Sequence, residues 1–255
     1  MPLYNADAIV LRRIDFGETD RIVTLYTRQR GKIAAIAKGA RKPLSRLAGA
    51  TELLTHGRFQ FAAGKTLDVI TQVEVKDSFP RIRGDLHRIA HSTYVVELLD
   101  KFVEEHEPSL DLFELLLSTL YLLERRNDPE RVVRMFELQF MKLSGYEPVL
   151  DECLRCRRPL PGGEVFFSPT LGGVVCRECG PLPDDALTIS QEAVGFMRRL
   201  LVAEAPEVER MEIPPQVMDQ IARVMRWYIR YRAERELKSI EFLQALKVGE
   251  MAHDE

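Results

Sequence analysis

Along the first eighty residues apolar and polar positions alternate with a period of two. Ala8-Ile9-Val10-Leu11 is β-rich. In Arg21–Thr27, Ile22, Thr24 and Tyr26 fall on one side and Val23 and Leu25 on the other, and Lys32–Lys38 follows a turn at Gly31. Glu52–Phe61 and Leu67–Val75, parted by a turn through residues 62–65, complete five strands with no long helix among them. Five short strands in this length predict a small closed barrel. The oligonucleotide/oligosaccharide-binding (OB) barrel protects its edges by closure and leaves one face free; an SH3-like barrel is the alternative.

After Phe79-Pro80 the period lengthens to about 3.6, in Leu86, Ile89, Ala90, Tyr94, Leu98 and Phe102 and then across Leu112–Leu123. Asn127-Asp128-Pro129-Glu130 predicts a third helix start, with an N-cap and a proline in the first turn, and Ser144-Gly145-Tyr146-Glu147-Pro148 its end. Ser190 predicts the cap of a further helix through Ala193, Val194, Met197, Leu200 and Leu201, and Val217–Tyr231 another. The expected class is therefore α+β and multidomain: a five-stranded barrel over 1–80, then a helical domain over 81–255 with a Cys-, Gly- and Pro-rich insertion at about 150–183.

All four cysteines lie in that insertion, as Cys153-x2-Cys156 and Cys176-x2-Cys179. Two such knuckles offer four thiolates to one tetrahedral metal, with sulfur about 2.3 Å from zinc. Gly162-Gly163 and Gly172-Gly173 supply turns, and Val165-Phe166-Phe167 can pair with Val174-Val175 as a ribbon. The pattern reads as a zinc ribbon, with an iron–sulfur cluster the main competitor. Disulfides are not needed by a cytosolic chain of this size, and a redox Cys-x2-Cys does not call for a second pair. Four thiolates close the coordination shell, so the zinc is expected to be structural.

Composition narrows the class. With 45% hydrophobic and 29% charged residues in 255, the chain has material for a core, and disorder is excluded as its main state. Its longest apolar stretch, Phe113–Leu123, is interrupted and too short to span a bilayer, and the N-terminus lacks a basic segment ahead of an apolar one. A cytoplasmic location without membrane contact is expected. Net charge is −3, but residues 1–80 hold 13 Lys/Arg against 8 Asp/Glu while 81–255 hold 23 against 31. From Arg21 to Thr51 there are eight basic residues and no acid, which points to a polyanion. Arg28, Arg30, Lys32, Lys38, Arg41, Lys42 and Arg46 are the candidate DNA contacts, because phosphate binding needs several cations along a path. Phe59 and Phe61 share one side of a strand and read as barrel core; Tyr26 is open to either a core or a stacking role.

Several runs resemble a known family. Ala8-Ile9-Val10-Leu11-Arg12, Gly17-Glu18-Thr19-Asp20-Arg21-Ile22-Val23-Thr24-Leu25-Tyr26-Thr27, Gly31-Lys32-Ile33 and Ala37-Lys38-Gly39-Ala40-Arg41-Lys42 resemble the opening of the bacterial recombination mediator family RecO. Phe136-Glu137-Leu138, Gly145-Tyr146-Glu147-Pro148, the four-cysteine segment and Leu237-Lys238-Ser239 follow in the same order, so the resemblance covers nearly the whole chain. It implies a non-enzymatic protein of DNA repair, associated with the nucleoid. Such a protein binds single- and double-stranded DNA, anneals complementary strands, partners RecR, and contacts single-stranded DNA-binding protein so that RecA can load. Some relatives lack the cysteines, so the zinc rests on this chain's own residues.

Other constellations carry less. Glu18 and Asp20 read as turn and salt-bridge residues, and His87 and His91, an i, i+4 pair without a third ligand, as packing or surface histidines. Ser92 and Ser239 lack companions that would make a nucleophile. Arg223, Arg226 and Arg230 occupy one helical stripe beside Met225, Trp227, Tyr228 and Tyr231. That stripe is the candidate rim of a pocket for the acidic, apolar-ended C-terminal tail of single-stranded DNA-binding protein. Two other classes are weighed. A nuclease lacks its carboxylate cluster for magnesium here, and an RNA-binding or transcription-associated barrel and zinc-ribbon protein is the alternative to a mediator.

Overall fold

The computed structural model describes residues 2–125, 128–160, 162, 164–233, 237, 239 and 243. These form two compact units, one of 2–125 with 239 and 243, the other of 128–233 with 237. In the first, β1 (Leu3–Phe16), β2 (Asp20–Thr27), β3 (Gly31–Ala37), β4 (His56–Ala62) and β5 (Asp68–Asp77) close a barrel in the order β1-β2-β3-β5-β4. The closing pair, β3 with β5, is parallel and short, Ala35 opposite Asp68 and Ile36 opposite Val69. This is the OB arrangement. Its interior is narrow, and small side chains fill much of it: Ala6, Ala8, Ala35 and Ala37 pack with Val10, Val23, Leu25, Phe59 and Phe61. Phe59 and Phe61 are core, as their shared side implied.

Two local features escape the period-two reading. A short helix, α1 (Arg46–Ala50), lies between β3 and β4, with Ser45 as N-cap accepting from the Leu47 N–H; Pro43 and Ser45 were its signal. Residues 52–55 consequently belong to a turn, with Leu54 buried at φ +70°, and β4 begins at His56 rather than Glu52. Strand β1 is also far longer than Ala8–Leu11 and carries a bulge between Val10 and Arg12. Before the bulge Ala6, Ala8 and Val10 point inward; after it Arg13 opposes the inward Val23, so Arg12, Ile14 and Phe16 point out.

The same unit continues into α2 (Pro80–Arg83), α3 (Leu86–Phe102) and α4 (Leu110–Arg125). Asp85 caps α3 by accepting from the Arg88 N–H, and the Glu124 carboxylate receives the N–H groups of Arg81 and Ile82. Gly31 has φ +66°, and a Cβ there would lie 2.3 Å from the Glu107 carbonyl, so only glycine lets the β2–β3 turn approach the segment before α4. His56 is buried against the Phe113 ring at 6.3 Å, and its Nδ1 has no partner among the described residues. Burial, with Lys76 repelling the cation, lowers its pKa below the ordinary 6.5, while Asp7 and Asp77 oppose and Arg28 adds to the lowering. The neutral ring is the folded form. Its contribution to stability is present above pH 6.5 and lost as pH falls from there through the lowered value. Urea titrations should show the wild type weakening below pH 6.5 more steeply than His56→Gln; parallel slopes would refute this.

The second unit holds α5 (Pro129–Leu143), β6 (Val165–Ser168), β7 (Gly173–Cys176), β8 (Leu187–Ile189), α6 (Gln191–Val202), α7 (Ala205–Arg210) and α8 (Pro215–Ala233). Asp128 and Ser190 cap α5 and α6 as anticipated, accepting from the Arg131 and Ala193 N–H groups. The α5 end is a Schellman turn: Gly145, at φ +82°, donates to the Lys142 carbonyl and Tyr146 to that of Met141. The sheet order is β7-β6-β8, and Phe166 opposes Val175 as the ribbon reading required. The third strand, β8, has too few residues to show a period.

Candidate functional site

The four cysteines, a candidate metal site, are brought together by two turns and a strand end. Cys153 and Cys156 flank a knuckle in which the Arg157 N–H donates to the Cys153 carbonyl at 2.8 Å, with Arg157 at φ +58°. Cys176 ends β7, and Cys179 closes the single turn Arg177–Cys179 that follows. The Leu154 N–H donates to the Val174 carbonyl and the Val174 N–H to that of Val149, so β7 is tied alongside residues 149–154 and its end carries the second knuckle to the first. The four sulfurs lie within 4.8 Å of one another, with Cys176 and Cys179 at 3.3 Å, Cys153 and Cys179 at 3.6 Å, and Cys156 and Cys176 at 3.9 Å. A tetrahedral ion with bonds of about 2.3 Å needs sulfurs about 3.8 Å apart. The donor set fits.

Electrostatics point the same way. Burial opposes ionisation of Cys153, yet the N–H groups of Cys156, Cys176 and Arg155 outweigh it and bring the thiol down to about 6. Cys179 is pushed up to about 12 by the sulfurs of Cys176 and Cys156, with burial adding to it. Four crowded thiols cannot all ionise without a cation among them. Arg155 latches the two knuckles by donating to the carbonyls of Cys179 and Pro181. The other ribbon arginines pair with acids, Arg157 with Glu152, Arg158 with Glu178 and Arg177 with Glu164.

The seven candidate DNA contacts separate into two groups at opposite ends of β3, a strand of 7 residues and so about 20 Å long. At the β2–β3 turn, Arg28 pairs with Glu114 and lies over the Phe113 ring, and Arg30 stacks on Tyr4 at 3.7 Å. Lys32 donates to the Asp100 carbonyl at 2.7 Å and lies 3.6 Å from its carboxylate. The window from Arg21 to Thr51 has no acid, but the fold brings acids to it from α3 and α4. Tyr26, left open by sequence, is fully buried against Phe113.

Beyond the far end of β3, Lys38, Arg41, Lys42 and Arg46 are exposed. Arg41 donates to the Gly17 carbonyl and faces Asp15, holding the β1–β2 turn. Asp20 accepts from the Gly39 N–H, and that bond, followed by smaller help from Thr19, Lys38 and Lys42, keeps its pKa low. It opens β2, and its side chain holds the turn that follows β3. Among the described residues no acid lies within ion-pair distance of Lys38, Lys42 or Arg46. Exposed Ile14, Phe16 and Leu44 sit in the same region and were missed by sequence reading.

On α8 the expected stripe divides. Met225 and Tyr228 face the core, while Trp227 and Tyr231 are exposed and the Arg230 guanidinium lies 5.8 Å from the Trp227 ring. Arg226 is half-buried. Arg223 instead donates to the Thr188 carbonyl at 2.9 Å, guarding the edge of β8 beside a cavity of about 530 Å³ lined also by Gln220, Ser190 and Glu164. His91 is buried, its Nδ1 2.7 Å from the His87 carbonyl, and Ser239 bonds Glu97, which accounts for both without catalysis.

Two family descriptions together match most of the chain. Residues 1–79 match the family described as Recombination protein O N terminal, and residues 83–241 that described as Recombination protein O C terminal. A protein of Symbiobacterium thermophilum named DNA repair protein RecO is 40% identical over 250 residues, covering 97% of this chain and 99% of its own. Proteins of the same name from Pelotomaculum thermopropionicum and Roseiflexus sp. are 40% and 36% identical, over 95% and 96% of this chain and 94% and 86% of theirs. No helix among the described residues is long and apolar enough to cross a membrane.

Proposed function

The chain belongs to the recombination protein O family of DNA repair proteins, and on that premise we propose that it is a non-enzymatic recombination mediator. It binds DNA through the barrel, anneals complementary strands, and acts with RecR to load RecA onto strands covered by single-stranded DNA-binding protein, in the cytoplasm at the nucleoid. The observation that carries the reading is the exposed loop of Lys38, Lys42 and Arg46 on an OB barrel, three cations without an ion-pair partner among the described residues. Arg41 supports the loop, while Arg28, Arg30 and Lys32 serve DNA less directly, through the packing described above.

The metal is zinc, held by Cys153, Cys156, Cys176 and Cys179. Bound zinc supplies a cross-link between the knuckles. A shell of four thiolates leaves no open position for a substrate, which favours a structural role.

The C-terminal tail of single-stranded DNA-binding protein is assigned to Arg226 and Arg230 with the exposed Trp227 and Tyr231, Arg223 being committed to β8. One experiment tests the whole reading: annealing of complementary strands, naked and coated with single-stranded DNA-binding protein. The wild type should anneal both without cleaving either. Arg226→Glu with Arg230→Glu should anneal naked strands normally and lose most of the coated-strand rate, since the reversed charges repel an acidic tail. Absence of annealing, magnesium-dependent cleavage, or a preference for RNA would overturn the mediator reading, and an unaffected coated-strand rate would move the tail site elsewhere.

A further inference from the structure

The four sulfurs of the candidate zinc site are not equivalent. Cys153 and Cys176 are buried while Cys156 and Cys179 are half-buried, so one edge of the cluster meets solvent. Hydrogen bonds divide the sulfurs again. That of Cys153 accepts from the N–H groups of Cys156, Arg155 and Cys176, the last at 3.3 Å. That of Cys156 accepts from the Arg158 N–H and guanidinium, and Glu178 steadies the guanidinium at 3.5 Å. Cys179 differs from both. Arg155 reaches its carbonyl at 3.2 Å rather than its sulfur, which is influenced most by the sulfurs of Cys176 and Cys156. The chain then leaves through Gly180, at φ +83°, where a Cβ would meet nothing within 4 Å.

A donated hydrogen bond draws electron density from a thiolate and weakens it as a nucleophile, so an accessible sulfur spared that draw is the first to meet an electrophile. Oxidation to a disulfide also needs a second thiol in reach. Cys176 and Cys179 bracket one 3₁₀ turn, in which side chains three residues apart eclipse. Their sulfurs at 3.3 Å are closer than those of Cys153 and Cys179 at 3.6 Å or of Cys156 and Cys176 at 3.9 Å.

We propose that Cys179 is an oxidant-modification site, with Cys176 as its resolving thiol and peroxides as the class of oxidant. The Cys179 thiolate attacks one peroxide oxygen, the O–O bond breaks, and with a proton the products are a sulfenic acid and water. The Cys176 thiolate then attacks the Cys179 sulfur, and the hydroxide that leaves takes a proton to become a second water. In sum, two thiolates, one hydrogen peroxide and two protons give a disulfide and two waters, the sulfurs losing the electron pair that the peroxide gains. Cys153 and Cys156 alone do not fill a tetrahedral shell, so zinc departs and the ribbon loosens. A dithiol reductant reverses the change by exchange. The proposal rests on the zinc reading above and adds to it a second, oxidised state of the ribbon.

The test treats the zinc-loaded full-length chain with hydrogen peroxide, follows zinc with a chromogenic chelator and maps disulfides by peptide mass spectrometry. The first disulfide should join Cys176 to Cys179, appear in step with zinc release, and vanish with zinc rebinding when dithiothreitol is added. Cys179→His keeps four ligands, since three thiolates and an imidazole also hold zinc, and should slow release about tenfold or more. Arg158→Gln leaves every cysteine in place and should speed release several-fold, with a second disulfide between Cys153 and Cys156, because it uncovers the Cys156 sulfur. Should Cys179→His bind no zinc, the mapping and Arg158→Gln still decide. Zinc retained with four free thiols under peroxide that oxidises glutathione, or a first wild-type disulfide at Cys153 and Cys156, would overturn the modification site and leave the zinc assignment standing. A chain purified without zinc would overturn both.

Discussion

Replacing Cys176 with Ser should release the metal and loosen residues 150–183 while the barrel stays folded. Cys176 is central to the site: its sulfur lies 3.3 Å from that of Cys179 and 3.9 Å from that of Cys156, and its N–H donates to the Cys153 sulfur at 3.3 Å. The apolar support beneath is thin. Val175, Leu154 and Leu160 pack there with the cysteines themselves, too little to hold two turns together unaided. Structural zinc contributes about 10–16 kcal/mol in small domains, and the ligand-bearing segment receives it. The expected result is a fall from one zinc per chain to near none by elemental analysis, with new proteolytic cuts inside the ribbon. The melting of the barrel should hardly move, since its core of Val10, Val23, Leu25, Phe59 and Phe61 lies in the other compact unit. A zinc-free wild type, or one holding iron, would refute the assignment.

The second large effect is expected on DNA affinity. Changing Lys38, Lys42 and Arg46 together to Ala removes three cations with no acid in ion-pair range among the described residues, so each is available to replace counterions on a phosphate. For single strands each neutralised phosphate contributes about −0.7 to the log–log salt slope, so the triple variant should flatten it by about 2. That is about a hundredfold loss of affinity at 0.1 M salt, similar for all sequences. Arg28→Ala with Lys32→Ala should leave the slope nearly intact and lower stability instead, because these side chains join Glu114, Phe113 and Asp100. Fluorescence anisotropy over a salt series, with urea titrations alongside, separates the outcomes. A triple variant with wild-type slope would place the DNA path elsewhere.

The contrast between those variants shows where sequence reading stopped. Arg28 and Lys38 look alike in the chain, both basic and both in an acid-free window. They differ because α4 brings Glu114 into an ion pair with one, while among the described residues no acid comes within ion-pair distance of the other. Lys32 meets Asp100, 68 residues onward, and no local pattern encodes such a meeting. Phe16 was invisible for a related reason. Simple alternation from the inward Ala8 and Val10 places Ile14 and Phe16 inside the barrel, and one bulge residue reverses them. Arg223 looked like its neighbours on the α8 stripe until β8, too short to leave a pattern, took it as an edge guard.

What the sequence by itself determined is what depends on neighbours a few residues apart. The five strands, the change of period at Phe79-Pro80, the caps at Asp128 and Ser190, the Gly145 turn and the paired knuckles all follow from backbone sterics and short-range hydrogen bonds. The candidate metal donors were legible because each Cys-x2-Cys spacing is local to its own turn. Only the tertiary structure decided which cations remain free, which aromatic residues are covered and which face of β1 turns outward. Those outcomes depend on partners dozens of residues away and on a single insertion in register, and a charge or a ring carries no mark of either until the chain has closed around it.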